Sequence, residues 1–175
     1  IANVDFDEDD TYMITASASD VDEDNLTYTC VASSHIQCSV NGADITLGSD
    51  PDWNGVETVT LGVQDGEGGT DTQDISVTVN SVNDAPVLDV IANQSVDEDN
   101  TFTYLLSAYD VDDTNLEYTA SVDGNASISI DDSILSITPY ADYNGDITVS
   151  VTVSDGQISV SEEFILIVIE INDSP

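Results

Sequence analysis

The stretch ITVSVTVSDG, Ile147 to Gly156, alternates without a break. Ile147, Val149, Val151 and Val153 share one parity, and Thr148, Ser150, Thr152 and Ser154 the other. Period two with one apolar parity is the pattern of a half-buried β-strand. Asp155-Gly156 then ends the run with a turn signal. A related stretch, VTLGVQDG, occupies Val59 to Gly66, ninety residues earlier.

That offset extends in both directions. Ile1-Ala2-Asn3 matches Ile91-Ala92-Asn93, and Asp7-Glu8-Asp9 matches Asp97-Glu98-Asp99. DVDEDNLTY, Asp20 to Tyr28, returns as DVDDTNLEY, Asp110 to Tyr118, and Asn54-Gly55 as Asn144-Gly145. Asn83-Asp84-Ala85-Pro86 returns as Asn172-Asp173-Ser174-Pro175 after a one-residue slip. The chain is therefore a duplication, with repeats 1–86 and 87–175. The same alternation recurs at Ile14, Ala16, Ala18; at Leu26, Tyr28, Cys30, Ala32; and at Ile75, Val77, Val79. In the second repeat it recurs at Phe102, Tyr104, Leu106, Ala108; at Leu116, Tyr118, Ala120, Val122; and at Ile165, Ile167, Ile169, Ile171. About seven short strands per repeat and no helical stretch predict a small antiparallel β-sandwich, twice over.

Charge restricts the function. The chain has 36 Asp plus Glu, one His and no Lys or Arg, a formal net charge of -36. Folding such a chain costs self-repulsion that salt or bound cations must answer. With no basic side chain to meet a phosphate, nucleic acid and anionic membranes are excluded as partners. No apolar run approaches the roughly 18 residues of a membrane span. The sequence opens and closes in mid-pattern, which predicts a piece of a longer chain. One His and no nucleophile motif argue against an enzyme.

The acids gather at predicted strand ends and return at the same spacing in both repeats. Oxygen-only clusters of Asp, Glu, Asn and backbone carbonyl suit a hard cation, and calcium above all; zinc and copper want His or Cys. An EF-hand loop is excluded: counted from Asp20 or from Asp110, position six is Asn25 or Asn115 where Gly is required.

Taken together, SASDVDEDNLTY and SAYDVDDTNLEY resemble the A-x-D-x-D…N…Y element of cadherin repeats, and VQDG and VSDG the later A-x-D-x-G element. NSVNDAP and EINDSP resemble the inter-repeat linker, and DEDD and DEDN the early acidic strand. Asp52 to Asp65 and Asp142 to Asp155 repeat a further cadherin spacing, although no L-D-R-E is present and Asn80 stands where an acid is expected. DYNG and VNDAP bring the pattern close to the cadherin-like repeats of large bacterial surface adhesins and RTX-type proteins. The resemblance covers the whole chain. It implies two tandem Greek-key, cadherin- or Ig-like β-sandwiches on a cell surface, outside the cell, with calcium stiffening each joint. It also implies the ligands. The joint would use Glu8, Asp52, Asn80, Asn83 and Asp84 with Asp110, Asp112, Asn115 and Asp155. Asp20, Asp22, Asn25 and Asp65 would form the matching half-site of repeat one. The implied role is a stalk or fibre segment in adhesion, its partners the neighbouring repeats. The alternative is a module that itself grips cell-surface glycans or like copies.

Cys30 and Cys38 fall on inward parity, where repeat two has Ala120 and Ile128. A disulfide and two buried thiols both fit, and the extracellular reading favours the disulfide. Trp53 shares its D-aromatic-N-G turn with Tyr143, which favours a plug over the core rather than a sugar platform. His35 is expected in a loop, without a partner cluster.

Overall fold

In a computed structural model of the chain, residues 1–172 are described. Asp173, Ser174 and Pro175 of the second linker motif lie outside the described residues. The chain divides into two compact units, Ile1–Val82 and Asn83 onward. The repeat boundary read from sequence lies at Pro86. The residues between are held by the second unit, because Asn83 Nδ2 donates to Asp155 Oδ2 at 2.7 Å and the Asp84 N–H to Asp112 Oδ2 at 2.8 Å.

Both units are all-β, with no helix among the described residues. The first comprises β1 (Val4–Asp7), β2 (Thr11–Thr15), β3 (Thr27–Val31), β4 (Ile36–Asn41), β5 (Asp44–Ser49), β6 (Gly55–Gln64) and β7 (Thr70–Asn80). Its two sheets run β1-β7-β6-β3 and β2-β5-β4. Strand β1 pairs parallel to β7, with Val4 opposite Val77, while the long β6–β7 hairpin is antiparallel. Apolar residues of alternating parity meet between the sheets: Val59 and Leu61, Ile75 and Val77, Ile45 and Leu47, and Ile36 are buried. They form one hydrophobic cluster, against which Tyr28 and Trp53 pack. Cys30 on β3 and Cys38 on β4 are joined in a disulfide, which ties one sheet to the other across a Cα–Cα distance of 6.3 Å.

The second unit comprises β8 (Val87–Leu88), β9 (Gln94–Asp97), β10 (Phe102–Leu105), β11 (Ala108–Tyr109), β12 (Glu117–Val122), β13 (Ala126–Asp131), β14 (Ile134–Pro139), β15 (Gly145–Ser154) and β16 (Ser159–Ile169). Its four-stranded sheet, β12-β15-β16-β9, again carries a parallel first strand, β9 on β16. A three-stranded sheet, β10-β14-β13, covers it, and β8 pairs with β11. The opening stretch of the sequence lies in β15, with Ile147, Val149, Val151 and Val153 fully buried.

The last strand differs from expectation. The alternation in sequence places Ile165, Ile167 and Ile169 on the core face, but Phe164, Leu166 and Val168 are the buried parity. Strand β16 is apolar on both faces, so alternation alone does not choose between them. Register does: Phe164 stands opposite the buried Val149, and Val168 opposite Gly145.

The D-aromatic-N-G turns precede β6 and β15. Asp52 and Asp142 take positive φ, 53° and 57°. Gly55 follows at φ 152°, where an added Cβ would lie 2.8 Å from the Trp53 ring, so this turn requires glycine.

Candidate metal centre

The acidic motifs of the second unit converge where β11 enters the DVDDTN loop. Asp110 is buried to 7% exposure. Its Oδ1 accepts from the N–H groups of Asp112 (2.9 Å) and Asp113 (2.8 Å), an Asx turn that folds the loop over the carboxylate. Its Oδ2 is buried with no hydrogen-bond partner among the described residues. Asp112 Oδ2 takes the Asp84 N–H. Asn83 bonds both Asp155 and the Asp84 carbonyl oxygen, each at 2.7 Å, and Gln157 Nε2 donates to Asn83 Oδ1. The Asp155-Gly156 turn supplies two further donors to Asp155 Oδ1, the N–H groups of Gln157 and Ile158 at 2.6 Å. The Asn83 amide, with these two N–H groups behind it, holds the Asp155 carboxyl below the ordinary carboxylate range. Asn83, Asp84, Asp112 and Asp155 are thus linked in one network, with Asp110 in the same loop as Asp112. Asn115 lies exposed in that loop.

The first unit repeats the pattern. Asp20 Oδ1 accepts from the Asp22 N–H at 2.7 Å. Asp65 Oδ1 accepts from the N–H groups of Glu67, Gly68 and Gly69 at 2.8–2.9 Å. The Glu67 N–H foremost, against some desolvation, lowers the Asp65 pKa. Asp20 and Asp65 line one shallow depression with Leu26 and Gly69. Asp22 and Asn25 lie exposed in the neighbouring loop.

At the other end of the first unit, Glu8 is buried to 4% exposure. Its N–H donates to the Asn80 carbonyl oxygen, and its Oε1 accepts from the Val82 N–H at 2.7 Å. Its Oε2 is buried with no hydrogen-bond partner among the described residues. Asn80 Nδ2 donates to Asp7 Oδ1. Asp52 and Asp9 bring carboxylate oxygens within 4.8 Å of each other.

Sequence reasoning missed three neighbours of these clusters. Glu98, buried to 2%, accepts from the Ile171 N–H through Oε1 as Glu8 does from Val82. The match of Asp97-Glu98-Asp99 to Asp7-Glu8-Asp9 carried that signal. Asp9 was hidden by its ordinary place in an acidic run, and nothing in the sequence marked Gln157. His35, expected without partners, has them. Its ring lies flat on Trp53, centroids 4.8 Å apart, and Nδ1 meets Glu57 Oε1 at 2.7 Å.

The donors at these ends are oxygen throughout, and they include buried carboxylate oxygens with no hydrogen-bond partner among the described residues, in a chain without Lys or Arg. Calcium fits such a set: it accepts oxygen ligands of several kinds and supplies the missing positive charge.

Residues 82–170, just over half of the chain, match the family described as "Cadherin-like domain". The chain belongs to the cadherin-like family. Residues 1–78 match the family "Bacterial Ig domain", so each repeat is matched separately. Comparison with curated proteins returns no match. Among solved structures, human protocadherin-24 EC1-2 is similar at TM-score 0.52 and 17% identity, over 93% of this chain and 88% of that one. Protocadherin gamma B7 extracellular domains 1-4 are similar at TM-score 0.52 and 18% identity, over 98% of this chain and 50% of that one. At these identities the likeness shows the fold alone. The cadherin-like chain spans 28% of the length of an endo-fucoidan hydrolase from glycoside hydrolase family 107, which it resembles at TM-score 0.42 and 20% identity over 98% of its own length. Cadherin-like domains generally bind calcium, work in tandem, lie outside the cell and are typically non-enzymatic. Among the described residues, no helix is long and apolar enough to cross a membrane.

Proposed function

We propose that this chain is a calcium-rigidified module of an extracellular stalk or fibre that serves cell adhesion, with residues 1–86 and 87–175 as its repeat units. One observation carries the reading. Among the described residues, Asp110 Oδ2 and Glu8 Oε2 are carboxylate oxygens buried without hydrogen-bond partners, in a chain that has no Lys or Arg to meet them. Burying an uncompensated charge costs several kcal/mol, and a divalent cation removes that cost.

In this reading Glu8, Asp52 and Asn80 of the first repeat, with Asn83 and Asp84 of its linker, act with Asp110, Asp112, Asp155 and the Asn115 carbonyl of the second. Asp20, Asp22, Asn25 and Asp65 serve a preceding repeat in the same way. The calcium supplies charge neutralisation and cross-linking. The protein's own part is to hold each carboxylate in place with backbone N–H groups, as the Asp110 and Asp155 turns do. The fixed ligands make the joint stiff, and stiffness is the property a spacer needs. The Cys30–Cys38 disulfide fits an oxidising, extracellular setting.

Small-angle scattering of the whole chain tests the proposal. In millimolar calcium the maximum dimension is expected to be single and narrowly distributed. With EDTA at matched ionic strength the distribution should broaden, while circular dichroism stays β. A calcium-loaded form as flexible as the stripped one sinks the spacer function.

A further inference from the structure

The outer face of β16 carries a ridge of isoleucines. Ile167 and Ile169 are 43% and 46% exposed, Ile165 is half-buried beside them, and Ile171 continues the row past the strand. The inward parity, Phe164, Leu166 and Val168, already fills the core. The first unit shows that the fold does not need this ridge. Its β7 makes the same ladder, with Val79 opposite Gly55 as Val168 is opposite Gly145, and Ile75 opposite Val59 as Phe164 is opposite Val149. On the outer parity β7 has Ser76, Thr78 and Asn80 where β16 has Ile165, Ile167 and Ile169. A contiguous row of exposed apolar side chains, present on only one of two otherwise matching sheets, is the kind of patch an interaction surface presents.

The border of the ridge says what kind of partner fits. Strand β15 sets Asp146 opposite Ile167, and β9 sets Asp97 opposite Ile169. Glu163 and Glu170, both exposed, stand near the two ends of the row. An apolar stripe edged by carboxylates is complementary to an apolar row edged by Lys or Arg. A second copy of this chain is the wrong chemistry, because it has no Lys or Arg and would set carboxylate against carboxylate. We propose that the outer face of the β9–β16–β15 sheet docks a basic amphipathic polypeptide segment, with Ile165, Ile167 and Ile169 as its apolar floor. The inference does not depend on the calcium reading, since none of these isoleucines is a proposed ligand.

The test uses the full chain in calcium at roughly physiological salt, with a short amphipathic Lys/Leu peptide as probe and a Lys/Ser peptide of equal charge as control. The triple variant I165S/I167T/I169N copies the side chains of the first unit. It is expected to lose about tenfold or more in affinity for the Lys/Leu peptide, while binding of the Lys/Ser peptide is unchanged. Equal affinity of wild type and variant for the Lys/Leu peptide overturns the proposal, because binding is then charge alone. Self-association of the wild type that the triple variant abolishes in sedimentation also overturns it, in favour of a second copy. Should the variant fail to fold, the reverse graft S76I/T78I decides. It should raise the number of Lys/Leu peptides bound per chain, and unchanged stoichiometry overturns the proposal.

Discussion

A carboxylate buried to 7% exposure, with one oxygen satisfied by two N–H groups and the other without a hydrogen-bond partner among the described residues, is how Asp110 stands in the second unit. Removing its charge without its shape isolates the electrostatic part. Asp110→Asn is expected to weaken calcium binding by about tenfold or more, a loss of roughly 1.4 kcal/mol, whereas Glu117→Gln on the exposed face of β12 should not. Calorimetric titration of the whole chain distinguishes them, and equal losses would reduce the acids to a general negative surface. Glu57 gives a pH signature at the same scale. The Ser33 hydroxyl beside it, then His35, pull its carboxyl from an ordinary 4.5 down to about 2. A depressed acid stabilises the fold above its unfolded pKa, and that contribution fades as pH falls toward the folded one. Glu57→Gln should therefore destabilise the first unit at neutral pH, and the gap from wild type should close between about pH 4.5 and 2. Trp53 fluorescence melts read this locally, since its ring stacks on His35; a gap constant with pH contradicts it. Asp20, Asp65, Asp110 and Asp155 were legible as candidate ligands because duplication repeats them at fixed spacing. Glu57 and His35 were not legible, because nothing in the second repeat echoes them and only the fold brings them together.

At the scale of the element, alternation was readable wherever one parity was polar, as in β15. It failed in β16, where Phe164 to Ile169 are all apolar and only the register against β15 assigns the faces. The disulfide shows what one cross-link does to an element pair. Cys30 and Cys38 lie eight residues apart on strands of opposite sheets, so the bridge closes a short loop and ties β3 to β4. Loop-closure entropy for so small a ring is about 2–3 kcal/mol. The second unit has no cysteine, which provides an internal control. Reduction, or Cys30→Ala with Cys38→Ala, is expected to lower the melting of the first unit by roughly 10 °C and leave the second where it was. Calorimetry resolves the two transitions. A shift shared equally by both would show that the units melt together.

At the scale of the whole molecule, 36 carboxylates face no cationic side chain except one histidine. Two kinds of ion relieve this, and they differ in how. Sodium screens over a Debye length of about 8–10 Å at physiological strength, so it weakens repulsion between exposed acids and reaches buried oxygens poorly. Calcium bound to the native state stabilises it by mass action, about 2.7 kcal/mol for each site at a hundredfold excess over its Kd. If bare oxygens such as Asp110 Oδ2 and Glu8 Oε2 are what the fold must satisfy, screening cannot replace binding. Thermal melts in EDTA should therefore fall well below those in calcium, and added sodium should recover part of the loss and then level off. Acid should act differently again. Protonation removes repulsion over the whole surface, but it also removes the contribution of depressed carboxyls such as Asp155, which the Asn83 amide keeps ionised. In EDTA, stability is expected to rise as pH falls toward the ordinary carboxylate range and to drop below it. In calcium the same titration should only fall, because protons then displace the ion. Identical pH profiles with and without calcium would mean that the ion is an atmosphere around the chain and not a bound part of it.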